Sequence, residues 1–278
     1  MFKFLIPLLL MLSPSLVYAD HTKHTFVLSG AVMEQNHTDL YKRFSLWLSH
    51  QAHYPLDIKR VNSYNDLSNF LHRHPDALTW IGGVSLLQGY KRHEMQLLAV
   101  PIFKGAPVYH SLIITQEGRK EKALTDFKHQ VLAYPDVYSS SGFIAPTYAL
   151  KAQGLDIQNY FRYLMRTETH ENSIEAVLAH QADVAAVDEY IFTQYLSLHP
   201  HAANQLTVLQ KLGPYPFPPL IAGREVSKQT MQQLQEALIH MPNDAEGAKI
   251  LKAFGLDGFI RKDISYYKPI QAILEALQ

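Results

Sequence analysis

Three consecutive hydroxyls and a glycine, Ser139-Ser140-Ser141-Gly142, are the residues of this chain best suited to binding chemistry. They lie between an apolar run, Val131-Leu132-Ala133-Tyr134, and a helix-like run over residues 143–153 that Gly154 closes. A helix start leaves backbone N–H groups without intrahelical partners, and the helix dipole adds partial positive charge there. Serine hydroxyls in the same small volume make a cradle for a phosphate-like or carboxylate group that needs no lysine. The same residues also suit an ordinary serine-rich turn that merely caps its helix. Further along, His170 stands just before an expected helix, where the dipole would lower its pKa and a bound anion would raise it. Asp188 ends an apolar run and precedes another helix, so it is either a ligand contact or the cap of that helix.

Serine, histidine and aspartate are also the residue types of a hydrolase triad. However, the chain has no G-x-S-x-G elbow, and Asp188 follows His170 instead of preceding it as in α/β-hydrolases. Metal binding is the other chemical option. His50 with His53 and His72 with His74 are the closest pairs, and neither has recognisable ligand spacing with a nearby carboxylate. His21 and His24 lie in a terminal stretch of the kind that usually frays. No metal or other cofactor is therefore expected.

The elements that must position these residues follow from the rest of the chain. Its 278 residues carry 25 basic and 25 acidic side chains, 15 histidines and no cysteine. That length holds one large domain or two lobes, and the zero formal charge argues against a nucleic-acid partner. Residues 1–19 read as an export signal: Lys3 first, an apolar core over residues 4–12, then Val17-Tyr18-Ala19 as a cleavage site. The expectation is cleavage after Ala19 and a periplasmic, monomeric protein without disulfides.

From Phe26 onward, short apolar runs alternate with helical spacing. Strands are expected near residues 26–28, 57–61, 77–81, 97–100, 108–115, 131–134, 161–165, 182–187 and 207–209. Helices are expected between them, and three more follow residue 229. This alternation indicates parallel or mixed sheets faced by helices, in which ligands commonly sit at the C-terminal ends of strands. Residues 105–107 form a plausible hinge. Residues 213–219 hold four prolines in six positions, which excludes a helix or central strand and suggests a second crossing. Asn172-Ser173-Ile174-Glu175 has the form of a capping box.

Taken together, three segments resemble the PhnD-like periplasmic substrate-binding proteins of phosphonate, phosphite and phosphate ABC importers. The segments begin at Tyr138-Ser139-Ser140-Ser141-Gly142, at His170-Glu171-Asn172 and at Ala182-Asp183-Val184. The stretches around Tyr109 and Gly213 fit in order and spacing, and the resemblance spans about residues 26–259. It implies the type II periplasmic-binding-protein fold, with two α/β lobes, a ligand cleft and two hinge crossings. One lobe would comprise residues 20–106 and 212–278, and the other residues 107–211. By the same resemblance, Ser139, Ser140 and Ser141 would hold an anionic group, and His170 would donate a hydrogen bond or a charge. Asp188 would face a cationic or protonated part of the ligand, while Tyr64, Gly82 and Tyr109 would line the cleft from the first lobe. The loop after the first strand, residues 29–34, departs from the family's usual start, which carries a proline or polar residue. The implied partners are a small anionic ligand and an ABC permease. The alternative is that the same fold presents a different small ligand to a membrane sensor protein.

Overall fold

The computed structural model describes residues 23–29, 38–61 and 63–278, apart from the side chains of Ser29, Tyr64 and Asn65. The expected export signal, His21 and the loop over residues 30–34 lie outside the described residues. So does the side chain of Tyr64.

Two mixed sheets carry the chain. The first contains β1 (His24–Ser29), β2 (Leu56–Val61), β3 (Leu78–Trp80), β4 (Met95–Ile102), β10 (Leu220–Gly223) and β11 (Gly258–Ile260). Its order is β11-β4-β10-β3-β1-β2, with β1 parallel to β2 and β3, and β10 and β11 antiparallel to their neighbours. The second contains β5 (Val108–Gln116), β6 (Val131–Tyr134), β7 (Tyr163–Arg166), β8 (Val184–Asp188) and β9 (Leu206–Pro216), in the order β7-β6-β8-β5-β9. Helices α1 (Thr38–Gln51), α2 (Tyr64–Arg73), α3 (Gly83–Lys91), α8 (Lys228–His240) and α9 (Ala245–Phe254) accompany the first sheet. Helices α4 (Ala145–Lys151), α5 (Ile157–Tyr160), α6 (His170–Leu178) and α7 (Glu189–Leu198) accompany the second. Helix α10 (Lys268–Leu277) ends the chain.

Local chemistry accounts for many of these bounds. In β5, Leu112 and Ile114 pack into one apolar cluster and Ile113 into another, as strict alternation through a sheet covered on both faces requires. Helix α9 starts at Asp244, whose carboxylate accepts from Glu246 and Gly247 N–H, and stops at Gly255 in the left-handed region at φ 65°.

Three departures from the sequence reading have physical causes. Strand β9 continues through Pro214 and Pro216, paired to β5 as far as Val108 opposite Pro216. Prolines are tolerated because β9 lies at the sheet edge, so their missing N–H groups interrupt no second ladder. The chain consequently leaves the second sheet at Phe217, later than residue 212. Helix α6 opens at His170, not at residue 173, because the Thr169 side chain accepts the Asn172 N–H and acts as its cap. Strands β10 and β11 and helix α5 are short and had no distinct signal.

The crossings run side by side: the Phe217 N–H donates to Pro107 O at 3.0 Å. Two adjacent tyrosines of the C-terminal segment hold them. The Tyr266 hydroxyl donates to Pro107 O at 2.9 Å, and the Tyr267 hydroxyl donates to Phe217 O at 2.7 Å.

Candidate oxyanion-binding site

Strand β6 ends at Tyr134, and the cradle follows within a few residues. Asp136 is buried, accepts the Tyr138 N–H at 2.9 Å and pairs with Arg166 at 2.5 Å, which fixes the loop before the serines. Ser139 caps a π-helical turn, Ser140–Ile144, that runs directly into α4. Its carbonyl accepts from both Phe143 and Ile144, at 3.2 and 3.0 Å, and such widened turns recur at functional sites. All three serines are buried.

Gly142 permits this turn. A Cβ there would overlap the Pro135 ring and crowd Ser139 Oγ at 3.0 Å. Gly142→Ala is therefore expected to destabilise the protein by about 1–3 kcal/mol through overpacking and to displace Ser139. Chemical denaturation checks the first effect, and an unchanged midpoint would contradict it.

The hydroxyls of Ser139 and Ser140 both have acceptor positions filled by N–H groups. Ser139 Oγ accepts the Gly142 N–H at 3.0 Å and lies 3.4 Å from His170 Nε2. Ser140 Oγ accepts the N–H of Val84 at 3.2 Å, from the first turn of α3 in the opposite lobe. A hydroxyl whose lone pairs face donors turns its own proton outward, so both serines are set to donate. Gly82 caps α3 without a side-chain hydrogen bond, which brings a second helix start to the same place. Ser141 is anchored through its carbonyl, which accepts from Ser111 Oγ on β5 at 2.6 Å.

His170 is buried, and desolvation lowers its pKa to about 3. The cause is burial and not the helix dipole expected from its position. Its Nδ1 accepts the Asp188 N–H at 3.1 Å, so the neutral ring carries its proton on Nε2, towards Ser139. This is the reverse of a catalytic triad, in which Nδ1–H donates to a carboxylate and Nε2 takes the serine proton. Asp188 offers the ring only its backbone, and its carboxylate instead caps α7 through Tyr190 and Ile191 N–H at 2.7 and 3.2 Å. Burial pushes its pKa up to about 7, against the opposing effect of those two bonds.

The structure thus brings Ser139, Ser140, Ser141, His170, Asp188 and the Gly82 helix start together. Tyr109 is a different case: it is 2% exposed and packs against Phe217, its ring centroid 5.7 Å away, so its ring belongs to the core. The residues that sequence reasoning missed are Val84, Ser111 and Glu189. Glu189 accepts from His110 at 2.7 Å and Lys104 at 3.2 Å, and lies 3.5 Å from Lys211. Burial raises its pKa, but these partners outweigh it and hold the carboxylate below its usual range. Among the described residues, no group of three or more potential metal ligands comes together. His24 is instead paired to Asp76 at 2.6 Å and stacked on Tyr54.

Two mixed α/β sheets, two adjacent crossings and a donor-lined contact between the lobes define a type II periplasmic binding protein. The profile of the family described as "ABC transporter, phosphonate, periplasmic substrate-binding protein" matches residues 30–267, and the chain belongs to that family. The phosphonates-binding periplasmic protein of Escherichia coli (strain K12) is 23% identical over 183 residues, which cover 64% of this chain and 54% of that protein. The chain therefore spans about half the length of the curated relative it matches. A binding-protein component of an ABC phosphonate transporter from Pseudomonas aeruginosa superposes with a TM-score of 0.82 at 22% identity, covering 90% of this chain and 85% of the other. PhnD1 from Prochlorococcus marinus (MIT 9301), in complex with methylphosphonate, gives 0.81 at 18% identity, covering 93% and 99%.

Proposed function

We propose that this chain is a non-enzymatic solute-binding protein that captures a small phosphorus oxyanion between its lobes and delivers it to an ABC permease. Phosphonate, phosphite and phosphate are the ligand class. One lobe comprises residues 20–106 with the chain after the second crossing, and the other lies between the crossings. Export with cleavage after Ala19 and a periplasmic address belong to the same proposal. Among the described residues, no helix is long and apolar enough to cross a membrane.

One observation carries the reading. The Ser139 and Ser140 hydroxyls are held as donors by N–H groups of Gly142, His170 and Val84, and Val84 belongs to the opposite lobe. Neutral hydroxyl donors at the contact between the lobes hold a tetrahedral anion without a buried counter-charge, and the anion in turn favours closure.

Thermal unfolding of the exported chain against phosphate, phosphite, methylphosphonate, sulfate and dicarboxylates tests this. A ligand at a hundred times its Kd stabilises by about 2.7 kcal/mol, a readily seen shift. Ser139→Ala and Ser140→Ala are each expected to weaken binding by about 1–3 kcal/mol. No shift with any phosphorus oxyanion, or unchanged affinity in both variants, would overturn the assignment.

A further inference from the structure

The sequence neighbours of the cradle open a second feature. Tyr138 immediately precedes Ser139, Ile81 precedes the Gly82 helix start, and Ser85 follows Val84. All three line one pocket of about 140 Å³. The pocket is therefore bordered on both lobes by residues adjoining the oxyanion donors. A cavity of about 150 Å³ admits benzene, so the pocket has room for a group of about six heavy atoms.

Its lining defines what that group must be. Ser68 of α2 and Ser85 and Gln88 of α3 contribute hydroxyl and amide groups, Tyr138 a phenol, and Ile81 and Met95 apolar surface. Arg92 also lines it, but its Nε donates to Glu94 at 2.7 Å, so its charge is balanced. Among the described residues no carboxylate lines the pocket, and Asp188 is not part of it. An ammonium group entering here would give up its hydration without a partner charge, whereas hydroxyl groups would exchange water for the serines, Gln88 and Tyr138. A methyl group would leave most of the volume unused.

From these facts we infer that this pocket receives the substituent of the bound oxyanion and selects phosphonates or phosphate monoesters carrying a neutral, hydroxylated group. The inference rests on the oxyanion reading above. Calorimetric titration of the exported chain with methylphosphonate, aminoethylphosphonate and dihydroxypropylphosphonate tests it. Dihydroxypropylphosphonate is expected to bind about tenfold tighter than either of the others, the gain from one or two added hydrogen bonds. Ser68→Trp fills the pocket and should bring that ratio to about one, and Gln88→Leu should reduce it to about threefold while conserving volume. If methylphosphonate binds with the same affinity as the dihydroxypropyl compound, or if the preference survives Ser68→Trp, the pocket assignment falls and the cradle stands. If none of the three binds, the oxyanion reading fails and takes the pocket with it.

Discussion

Phe217→Ala is expected to lower the unfolding free energy by about 3–5 kcal/mol, the largest loss from any single truncation considered for this protein. The side chain is fully buried at the second crossing. Its ring centroid lies 5.4 Å from Tyr190, 5.7 Å from Phe103 and Tyr109, and 6.5 Å from Trp80. Edge-to-face and tilted pairs at these distances add to the burial itself. Its backbone is tied as well, with the N–H to Pro107 O and the carbonyl to the Tyr267 hydroxyl. The surrounding rings come from β3, β5, α7 and the approach to the first crossing, so they cannot collapse into the void without moving one lobe against the other. Urea denaturation of Phe217→Ala and Phe217→Leu checks this. Leucine should recover part of the loss, and a cost below about 1 kcal/mol for alanine would show that the crossing is not packed as described.

Features written in adjacent residues were legible from the sequence; features made by distant ones were not. The alternation of strands with helices and the serine-glycine turn between β6 and α4 depend on neighbours within one or two turns. The site's other half depends on contacts between Val84 and Ser140, Ser111 and Ser141, and the Asp188 backbone and His170, which are 56, 30 and 18 residues apart. Two cap-type residues competed at the start of α6. The capping-box pattern favoured Asn172, whereas Thr169 takes the position and the Thr167 and Ser173 hydroxyls pair at 2.6 Å beside it. Prolines misled for a related reason. Pro101 reads as the end of β4, yet it lies within the strand opposite Phe259, beyond the stretch that β10 pairs. Proline is a poor strand residue only where a ladder needs its N–H, and that depends on sheet order, which local sequence does not contain.

The buried pair His170 and Asp188 should leave a distinct signature in stability against pH. With its pKa lowered from 6.5 to about 3, His170 is neutral in the folded protein and becomes charged in the unfolded chain as pH falls below 6.5. Its contribution to stability is therefore complete above pH 6.5 and is lost as pH falls towards 3. Asp188, raised from 3.8 to about 7, does the opposite: its contribution is complete below pH 3.8 and is lost as pH rises through 7. Between about pH 4 and 6.5 the folded protein holds one proton on Asp188 and the unfolded chain one on His170, so the two slopes cancel. Removing one partner uncovers the other. Asp188→Asn, which can still cap α7, should become more stable with rising pH than the wild type by roughly 1 kcal/mol per pH unit across that window. His170→Gln should show the reverse slope. Urea denaturation at several pH values separates these outcomes, and three parallel curves would mean that the pair titrates alike in the folded and unfolded states. The cancellation also bears on the cradle. Below pH 7 the neutral imidazole and the protonated carboxyl add no formal charge to it, and the Glu189 carboxylate nearby is occupied by His110, Lys104 and Lys211, so an anion meets donors. Above pH 7 the Asp188 charge appears beside it, and affinity for a simple oxyanion should fall.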